Sequence, residues 1–437
     1  MSEHAAPESA KPPWTAPTGV LQVVDLQAAE HHWEISPGVV VHGYAFNGQA
    51  PGPVIEASVG DTLLVRFTNL LPEPTTIHWH GLRVPAAMDG SELAGDPVPP
   101  GGHFQYRFDL PDAGTFWYHS HLNETVQLER GLYGAIVVRN PDDPPVDGER
   151  VLLFDDLKMN RRGQIAAPTP LLENMRGREG DVLLINGVRE PTMQIPAGQI
   201  ERWRLINTAS ARHLRLSLSG HRFHVIGTDG GLIPAPYAVD EVLMAPGDRF
   251  DLAVGPFTDG ETVVLQALPY DRGAGRPRHR TLATLHVAPE DRASTTAGVD
   301  LGRFSRAILP LVEPGEAPTR TIRLGGRLTR RGVEGTVNDT PHFEDAPVHV
   351  GRLQVWDIVN ETTMDHPFHL HGFFFQILSI NGEPPSYPSW EDTVNVRARG
   401  RVRIAWLPDN RPGRWMYHCH ILEHHAVGMM AHFDVVA

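Results

Sequence analysis

The chain has 437 residues, of which 41% are hydrophobic, so it can bury an ordinary core in each of about three domains. Its 52 acidic and 38 basic residues give a net charge of −14, which disfavours nucleic acids and anionic membrane surfaces as partners. Every apolar run is far shorter than the roughly 18 residues of a membrane span, so we expect a soluble protein.

The N-terminal segment, residues 1–8, has no basic stretch followed by an apolar one, as an export signal would have. We therefore expect either a cytoplasmic protein or an exported one whose signal has already been removed. The chain has one cysteine, Cys419, so it forms no intramolecular disulfide, and its redox compartment stays open.

A repeat organises the chain from the first domain onward. Its copies are residues 58–69, 196–207 and 349–360, and in each a glycine precedes the final asparagine by nine residues. Each copy is a glycine turn followed by an alternating run rich in β-forming residues, which predicts a strand of a sandwich. The 42 glycines and 39 prolines also favour many short strands over long helices.

The first copy is followed by two His-X-His pairs. His78 stands nine residues after the asparagine with His80 two residues later, and the second pair is His119 and His121. In a strand such a pair presents both imidazoles on one side, about 6.6 Å apart, which suits adjacent metal ions.

The second copy predicts no metal site. Leu216 and Leu218 occupy the places of the first histidine pair, and we expect both to be core residues. His221 and His224 lie in this middle domain and are interpreted as structural. Three other unmatched histidines are interpreted as surface or packing residues: His31, His32 and His432.

Composition indicates two linkers. Residues 140–148 are rich in proline and aspartate, and residues 289–318 contain many Ser, Thr, Gly and Pro residues with room for a short helix. These linkers divide the chain into predicted domains 1–145, 146–295 and 296–437.

The third copy restores the histidines. His369 stands nine residues after its asparagine, His371 follows two later, and His366 lies just before them. The third domain is therefore expected to carry metal ligands, as the first does.

Cys419 lies between His418 and His420, in a segment that matches the one around Ser120 in the first domain. A lone thiolate with histidines and a methionine nearby is the ligand set of a blue-copper centre. Because successive strand side chains face opposite ways, Cys419 and its two flanking histidines can serve two different metal sites and connect them through bonds.

The series HWHG, HSH, HPFHLHG and HCHILEH with a following methionine resembles the copper-binding motifs of the three-domain multicopper oxidases, closest to the bacterial laccase branch. The resemblance runs from about residue 40 to the C-terminus, and residues 47–53 are similar to the family's N-terminal pattern. It implies an all-β fold of three consecutive cupredoxin-like Greek-key β-sandwich domains.

The resemblance also implies four copper ions, one of type 1, one of type 2 and two of type 3. Type 1 copper would be held by His366, Cys419, His424 and the axial Met429, with Met430 as the rival axial ligand. His78 and His369 would hold type 2 copper, and two triplets would hold the type 3 pair: His80, His119 and His420; His121, His371 and His418.

The implied function is a laccase-like oxidase that takes single electrons from phenols or aromatic amines and reduces dioxygen to water, with Cys419, His418 and His420 connecting the two sites. A Cu(I) or Fe(II) oxidase in copper tolerance is the alternative, and a non-catalytic copper-binding protein is a third. A methionine-rich segment typical of cuprous oxidases is missing from the sequence. Because one chain supplies all the ligands, a monomer is sufficient and an oligomer stays possible.

Dioxygen reduction consumes protons, so an acid near the cluster is expected. Asp89 matches the family's acidic residue nine positions after the second histidine of the first motif, although it could equally be a turn aspartate before Gly90. His425 stands where many bacterial relatives have a glutamate, which puts the usual proton relay in doubt.

Overall fold

The computed structural model describes residues 14–275, 277–289, 300–313 and 315–437. The N-terminal residues 1–8 and the predicted boundary between residues 295 and 296 lie outside these ranges. The described residues form three successive β-sandwiches with few helical turns, as the glycine- and proline-rich composition predicts. Each described helix is too short or too polar to span a bilayer.

The first sandwich pairs two sheets, and its elements follow in chain order: β1 (Leu21–Ser36), β2 (Val39–Phe46), β3 (Gly52–Ser58), β4 (Thr62–Asn69), β5 (His78–His80), β6 (His103–Asp109), β7 (Gly114–His119), α1 (Glu124–Gln127) and β8 (Tyr133–Arg139). One sheet has the order β2-β1-β4-β6, and the other has the order β3-β8-β7-β5. The histidine-bearing β5 is thus an edge strand beside β7.

The second sandwich follows the linker around residue 145 and has these elements: β9 (Gly148–Leu157), α2 (Pro170–Arg176), β10 (Val182–Ile185), β11 (Thr192–Pro196), β12 (Glu201–Asn207), β13 (Leu214–Leu218), β14 (Phe223–Thr228), β15 (Gly231–Val239), β16 (Glu241–Met244), β17 (Arg249–Val254), β18 (Thr262–Leu268) and β19 (Arg280–Ala288). Its sheets have the orders β10-β9-β12-β17-β14-β15 and β11-β19-β18-β13-β16. Leu216 and Leu218 on β13 are buried in its core, as the repeat predicts.

The third sandwich has these elements: β20 (Arg320–Thr329), β21 (Gly332–Val337), β22 (Phe343–Glu344), β23 (Val348–His349), β24 (Gln354–Asn360), β25 (His366–Leu370), β26 (Phe375–Ile380), β27 (Thr393–Val396), β28 (Arg401–Trp406), β29 (Gly413–Cys419), α3 (Leu422–Ala426) and β30 (Met430–Val436). Its sheets have the orders β21-β20-β24-β28-β26 and β22-β30-β29-β25-β27, and β23 also pairs with β30. In the described part of the second linker, the chain forms a 3-10 helix at Leu301–Arg303.

The three copies of the repeat form equivalent strands. β4, β12 and β24 each pair in parallel with the first strand of their sandwich (β1, β9 and β20), and antiparallel with β6, β17 and β28 on the other side. The glycine at the third position of each copy has a left-handed φ, +89° at Gly60, +76° at Gly198 and +74° at Gly351, which a side chain would disfavour.

Each copy ends on a buried asparagine that ties down the loop after the strand. The Asn69 amide donates to the carbonyls of Glu73 and Val98, both at 2.9 Å. Asn360 donates to the carbonyls of Met364 at 2.7 Å and Val396 at 2.9 Å. In the outer sandwiches the tied loop leads directly to the histidine strand, β5 or β25, so the repeat places the histidines that the sequence predicts as metal ligands.

A buried arginine of the middle sandwich connects all three domains. The Arg249 guanidinium, fully buried, donates to the Thr115 carbonyl of the first sandwich at 3.2 Å. It also donates two hydrogen bonds, of 2.6 and 2.5 Å, to the Asp392 carboxylate of the third sandwich. The middle sandwich thus helps to hold the two histidine-bearing sandwiches against each other.

Candidate metal centre

The strand registers sort the sequence-predicted ligands onto two faces. On β29, Cys419 lies opposite Phe368 of β25, while the preceding His418 lies opposite His369. On the first sandwich, β5 and β7 pair His78 with His119. Because successive strand residues face opposite ways, the thiol lies on one face of β29 and its flanking histidines lie on the other.

The thiol face forms a three-atom site. The Cys419 Sγ lies 3.4 Å from His366 Nδ1 and 3.7 Å from His424 Nδ1, and the two nitrogens are 3.1 Å apart. Ligand atoms about 2.0–2.3 Å from a common metal ion lie roughly 3.3–3.9 Å apart, so this triangle has the size of a metal site. All three residues are buried.

The positions of the two imidazoles are held by neighbouring groups. Thr362 Oγ1 lies 2.8 Å from His366 Nε2, so His366 keeps Nδ1 for the site. His424 lies on α3, whose first turn begins directly after β29. Burial raises the pKa of the Cys419 thiol to about 12, so its proton must be displaced for the sulfur to bind a metal as thiolate.

The register of β30 favours Met429 over Met430 as the fourth neighbour of this site. Met430 pairs with His418, so Met429 lies opposite Cys419, whose N–H donates to the Met429 carbonyl at 3.0 Å. Residues that lie opposite on antiparallel strands share a face. Met429 therefore faces the thiol side, where it belongs to the same buried core as Cys419.

The other face of β29 opens onto a cluster of eight histidines. Each is at most 1% exposed, and they come from the first and third sandwiches: His78, His80, His119, His121, His369, His371, His418 and His420. Rings from the two sandwiches interleave: His78 stacks on His371 with centroids 4.0 Å apart, and His80 stacks on His369 at 3.8 Å. The two half-sets of ligands thus meet at a domain interface.

The histidine set fits metal ions, because each ring has a nitrogen that accepts no hydrogen bond from a described residue outside the cluster. Buried nitrogens without any hydrogen-bond partner occur on six of the rings: His78 Nε2, His80 Nδ1, His119 Nε2, His369 Nε2, and both nitrogens of His121 and His420. On the remaining two rings, His371 Nε2 and His418 Nε2 lie 2.9 Å apart and converge on one point. Orphaned nitrogens in a dry interior are costly unless a metal occupies the space between them.

The opposite nitrogens of these rings are held by carbonyls and carboxylates. His78 Nδ1 lies 2.8 Å from the Asp89 carbonyl, and His371 Nδ1 lies 3.0 Å from the Asp89 carboxylate. His80 Nε2 lies 3.0 Å from an Asp392 carboxylate oxygen. Such outer partners fix the ring orientation and the tautomer that binds metal.

Burial also keeps the imidazoles neutral, the form that binds metal. It lowers the pKa of His366 and His371 to about 3. Burial, and repulsion from neighbouring imidazoles, hold the pKa well below its usual range at His80, His119, His121, His418, His420 and His424.

The structure shows the surroundings of Asp89 and His425, the two residues that bear on proton supply to the cluster. Asp89 is 3% exposed, and although burial opposes its charge, His371 and His78 hold the pKa of its carboxyl well below its usual range. His425 stacks on His418 at 4.4 Å, and its Nδ1 lies 2.7 Å from the Glu124 carboxylate on α1. A carboxylate thus stands beside this corner of the cluster, supplied by the first sandwich.

Sequence reasoning missed Asp392, Thr393 and Arg249, which support the cluster from outside. Asp392 contacts His80 and is itself held by Arg249. No local pattern relates these residues to the first-domain ligand they support, since Asp392 is 312 positions from His80. His221, interpreted as structural, pairs with Glu261 at 2.6 Å, away from the cluster.

Comparison with known families assigns all three sandwiches to one kind of protein. Three family models, each described as multicopper oxidase, match residues 27–143, 151–268 and 318–437. The chain is 31% identical to the multicopper oxidase MmcO of Mycobacterium tuberculosis over 444 aligned residues, covering 91% of this chain and 84% of the relative. It is 26% identical to a laccase of Bacillus subtilis, covering 98% of this chain and 97% of that protein.

Solved structures of multicopper oxidases also resemble this chain over nearly its whole length. A multicopper oxidase from Campylobacter jejuni, described as a metallo-oxidase, superposes with a TM-score of 0.83 at 30% identity, covering 99% of each chain. A multicopper oxidase from Pseudomonas thermotolerans superposes with a TM-score of 0.80 at 32% identity, covering 96% of this chain and all of that one.

Proposed function

The chain belongs to the multicopper oxidase family, and from that premise we propose that it oxidises phenols or aromatic amines one electron at a time. The cupredoxin-like fold predicted from the sequence is confirmed by the family's solved structures. The protein is a copper-dependent oxidoreductase with dioxygen as electron acceptor.

The ligand geometry supports four copper ions. The thiol site would hold the type 1 ion, with the Met429 side chain as the fourth group. In the histidine cluster His78 and His369 would hold the type 2 ion, and the type 3 ions would be held by two triplets: His80, His119 and His420; His121, His371 and His418. Bound copper supplies one-electron redox cycling, which suits stepwise electron uptake from an organic donor.

The chain itself joins the two sites. Cys419 belongs to the thiol site while its bonded neighbours His418 and His420 belong to the histidine cluster, so one tripeptide is a continuous covalent path between them. Burial of every ligand excludes water from that path. Exclusion of water from the buried cluster also limits side reactions there.

One observation carries the choice of an aromatic donor. α2 packs against α3, the helix that bears His424, and the Met175 backbone lies against the His424 imidazole. On its outer side α2 exposes Leu171, Leu172 and Met175, at 59, 48 and 41%. An apolar surface next to the ligand nearest the outside suits a flat organic donor.

The decisive experiment is oxygen uptake by the copper-loaded protein with a phenol, an aromatic amine, Cu(I) and Fe(II) in parallel. We expect uptake with the two organic donors. Uptake with the metal ions alone would contradict the aromatic-donor proposal. Cys419→Ser, which removes the thiol but keeps the eight-histidine cluster, is the matched control, and it should lose both the blue absorption and the uptake.

A metal-ion oxidase is the second candidate, supported by the likeness to the Campylobacter jejuni metallo-oxidase and by the exposed thioether of Met175. In that case Met175→Leu should raise the KM for Cu(I) several-fold and leave the KM for a phenol unchanged. If the aromatic-donor proposal holds, Leu171→Ser should instead raise the KM for the phenol, because it removes apolar contact area.

A single chain supplies every ligand of both sites, so we infer that the monomer is active. Analytical ultracentrifugation combined with oxygen uptake at the same protein concentrations tests this inference. Activity that fell on dilution together with the mass of the species would contradict it.

A further inference from the structure

Two histidines outside the metal centre face each other on the outer surface of the first sandwich. His32 on β1 lies directly opposite His42 on the antiparallel β2. Their imidazole rings stack with centroids 4.4 Å apart and planes inclined by 15°. Both residues are exposed to solvent, and no described residue forms a hydrogen bond with either ring. Each ring therefore offers a nitrogen lone pair at the same place on the surface.

The alternation of β1 determines the face on which this pair lies. Glu30, His32 and Glu34 are exposed. Trp33 and Ile35 turn inward and pack in one hydrophobic cluster. Because successive strand residues face opposite ways, the two glutamates flank His32 on the outer face. Their carboxylates place negative charge on both sides of the histidine pair, which favours a cation there.

The hydrogen bonds of β2 bring the two side chains close together. The His42 N–H donates to the Gln164 side-chain oxygen at 3.0 Å, and the Gln164 amide donates to the Val40 carbonyl at 3.3 Å. These backbone groups thus point away from β1, so His32 and His42 form a non-hydrogen-bonded pair. In such a pair the opposed side chains lie closer than in a hydrogen-bonded one.

Gln164 also fixes the backbone that carries the pair. It lies in the second sandwich, between β9 and α2, and it covers the edge of β2 that faces away from β1. β2 is therefore held on both of its edges. A ligand pair on a fixed backbone loses less conformational freedom when it binds an ion.

The spacing of the rings suits a single transition-metal ion. Imidazole nitrogens lie about 2.0–2.1 Å from a bound divalent ion, so two nitrogens on one ion are at most roughly 4.2 Å apart. The ring centroids are 4.4 Å apart. Rotation of an imidazole about its Cβ–Cγ bond is only broadly restricted, so a small rotation of these exposed rings brings a nitrogen of each within range.

We propose that His32 and His42 chelate one Cu(II) ion on the outer face of the first sandwich, with water or a flanking carboxylate in the remaining positions. Imidazole binds several divalent ions, and Cu(II) is the one that a given site of this kind binds most tightly. The bound ion would cross-link β1 and β2. This site is separate from the buried metal centre and does not depend on the proposed function.

Calorimetric titration of the copper-loaded protein with Cu(II) tests the proposal. The wild type should bind one additional ion, and His32→Gln and His42→Phe should each weaken this binding at least about tenfold, because a lost ligand costs more than the 10–100-fold of a lost outer partner. His42→Phe keeps an aromatic ring that can stack on His32. A role in strand packing alone would therefore survive this substitution, whereas chelation would not.

His31→Gln is the matched control. His31 is the neighbour of His32 in the chain, but it lies opposite Gly43 and on the other face of β1. Its loss should leave the additional Cu(II) binding unchanged. All three variants should keep the blue absorption and the oxygen uptake of the wild type, because the paired ends of β1 and β2 contribute no residue to the buried metal centre.

Electron paramagnetic resonance identifies the ligands of the added ion. After subtraction of the spectrum of the copper-loaded protein, the wild type should show coupling to two imidazole nitrogens, and His42→Phe should show at most one. An additional ion that the wild type and both pair variants bind equally would be adventitious, and it would overturn the proposal, as would a wild type that binds no additional ion. Protein that binds the ion but takes up no oxygen would count against the proposed function alone.

Discussion

At the scale of single residues, the proposed metal ligands are held by partners that are not themselves proposed to bind metal. Asp89 holds two rings, His78 through its carbonyl and His371 through its carboxylate. Asp392 does the same for His369 and His80 on the other side of the cluster. Each pair couples a ring from the first sandwich with one from the third, so these two residues set the relative position of the two half-sites.

Replacing Asp89 with Asn should therefore weaken the histidine cluster selectively. The amide keeps the size of the side chain but lacks the charge that supports His371, and loss of such an outer partner costs about 10–100-fold in metal affinity or activity. Copper content and oxygen uptake measure the effect. The absorption of the thiol site should stay unchanged, and a fall in both centres together would contradict the assignment.

The buried carboxyl group of Asp155 should make the stability of the folded protein depend on pH. Burial, reinforced by the charge of Asp156, raises its pKa to about 8, so the folded chain holds a proton that the unfolded chain releases near pH 4. Relative to Asp155→Asn, the wild type should lose stability as the pH rises from about 4 to about 8, on the order of a few kcal/mol. Thermal unfolding midpoints across that range give the difference. A wild type that gains stability relative to Asp155→Asn as the pH rises would refute the burial argument.

At the scale of secondary-structure elements, the repeat strand and its terminal asparagine form the unit that builds each sandwich. β4, β12 and β24 have the same neighbours and end in the same side-chain-to-backbone hydrogen bonds. The metal strands β5 and β25 begin a few residues later. The middle sandwich keeps the same architecture with Leu216 and Leu218 in its core, so the architecture does not depend on metal.

Asn360→Ala and Asn207→Ala form a matched pair that tests this unit. Each substitution leaves buried carbonyls unsatisfied, which should lower the free energy of unfolding by about 2–4 kcal/mol. Only Asn360→Ala should also shift the blue absorption, because the loop that Asn360 holds leads to His366. Equal effects of both variants on the spectrum would show that the loop does not position the ligand.

At the scale of the whole molecule, the sandwiches are arranged around a site that none of them contains. The first and third sandwiches each contribute four histidines to the cluster, and the second contributes Arg249 as a buried tie between them. Since bound copper would bridge the first and third sandwiches, metal loading is expected to stabilise their interface as well as their active site.

Removing copper should therefore lower the thermal unfolding midpoint. An ion present at a hundredfold excess over its dissociation constant stabilises the folded state by about 2.7 kcal/mol. Calorimetry of copper-loaded and chelator-treated protein measures the loss. Cys419→Ser, which keeps the histidine cluster, should retain most of the stabilisation. If it behaves like copper-free protein, the stabilisation comes from the thiol site within the third sandwich, and the bridging role is refuted.

Much of the site followed from local rules. The repeat placed His78 and His369 at equivalent positions, and strand alternation separated Cys419 from His418 and His420, since both depend on short-range geometry. Asp89 was a candidate only through the family resemblance, with a turn aspartate before Gly90 as the equal alternative. The register of β30, in which Met429 lies opposite Cys419, gives the geometric basis for preferring it over Met430.

Other residues could not be identified from the sequence. His80 and Asp392 are 312 positions apart, and Glu124 and His425 are 301 apart, so no local pattern relates them. A cavity lined by Asp229, Asp248 and Glu391 forms only where two sandwiches pack together.

The sequence alone thus determined which residue types can bind copper, on which strand faces they lie and which sandwich lacks them. Strand period, turn residues and ligand chemistry act within a few positions of the chain. The tertiary structure decided which histidines meet and which aspartates hold them, because those contacts depend on how separate sheets pack.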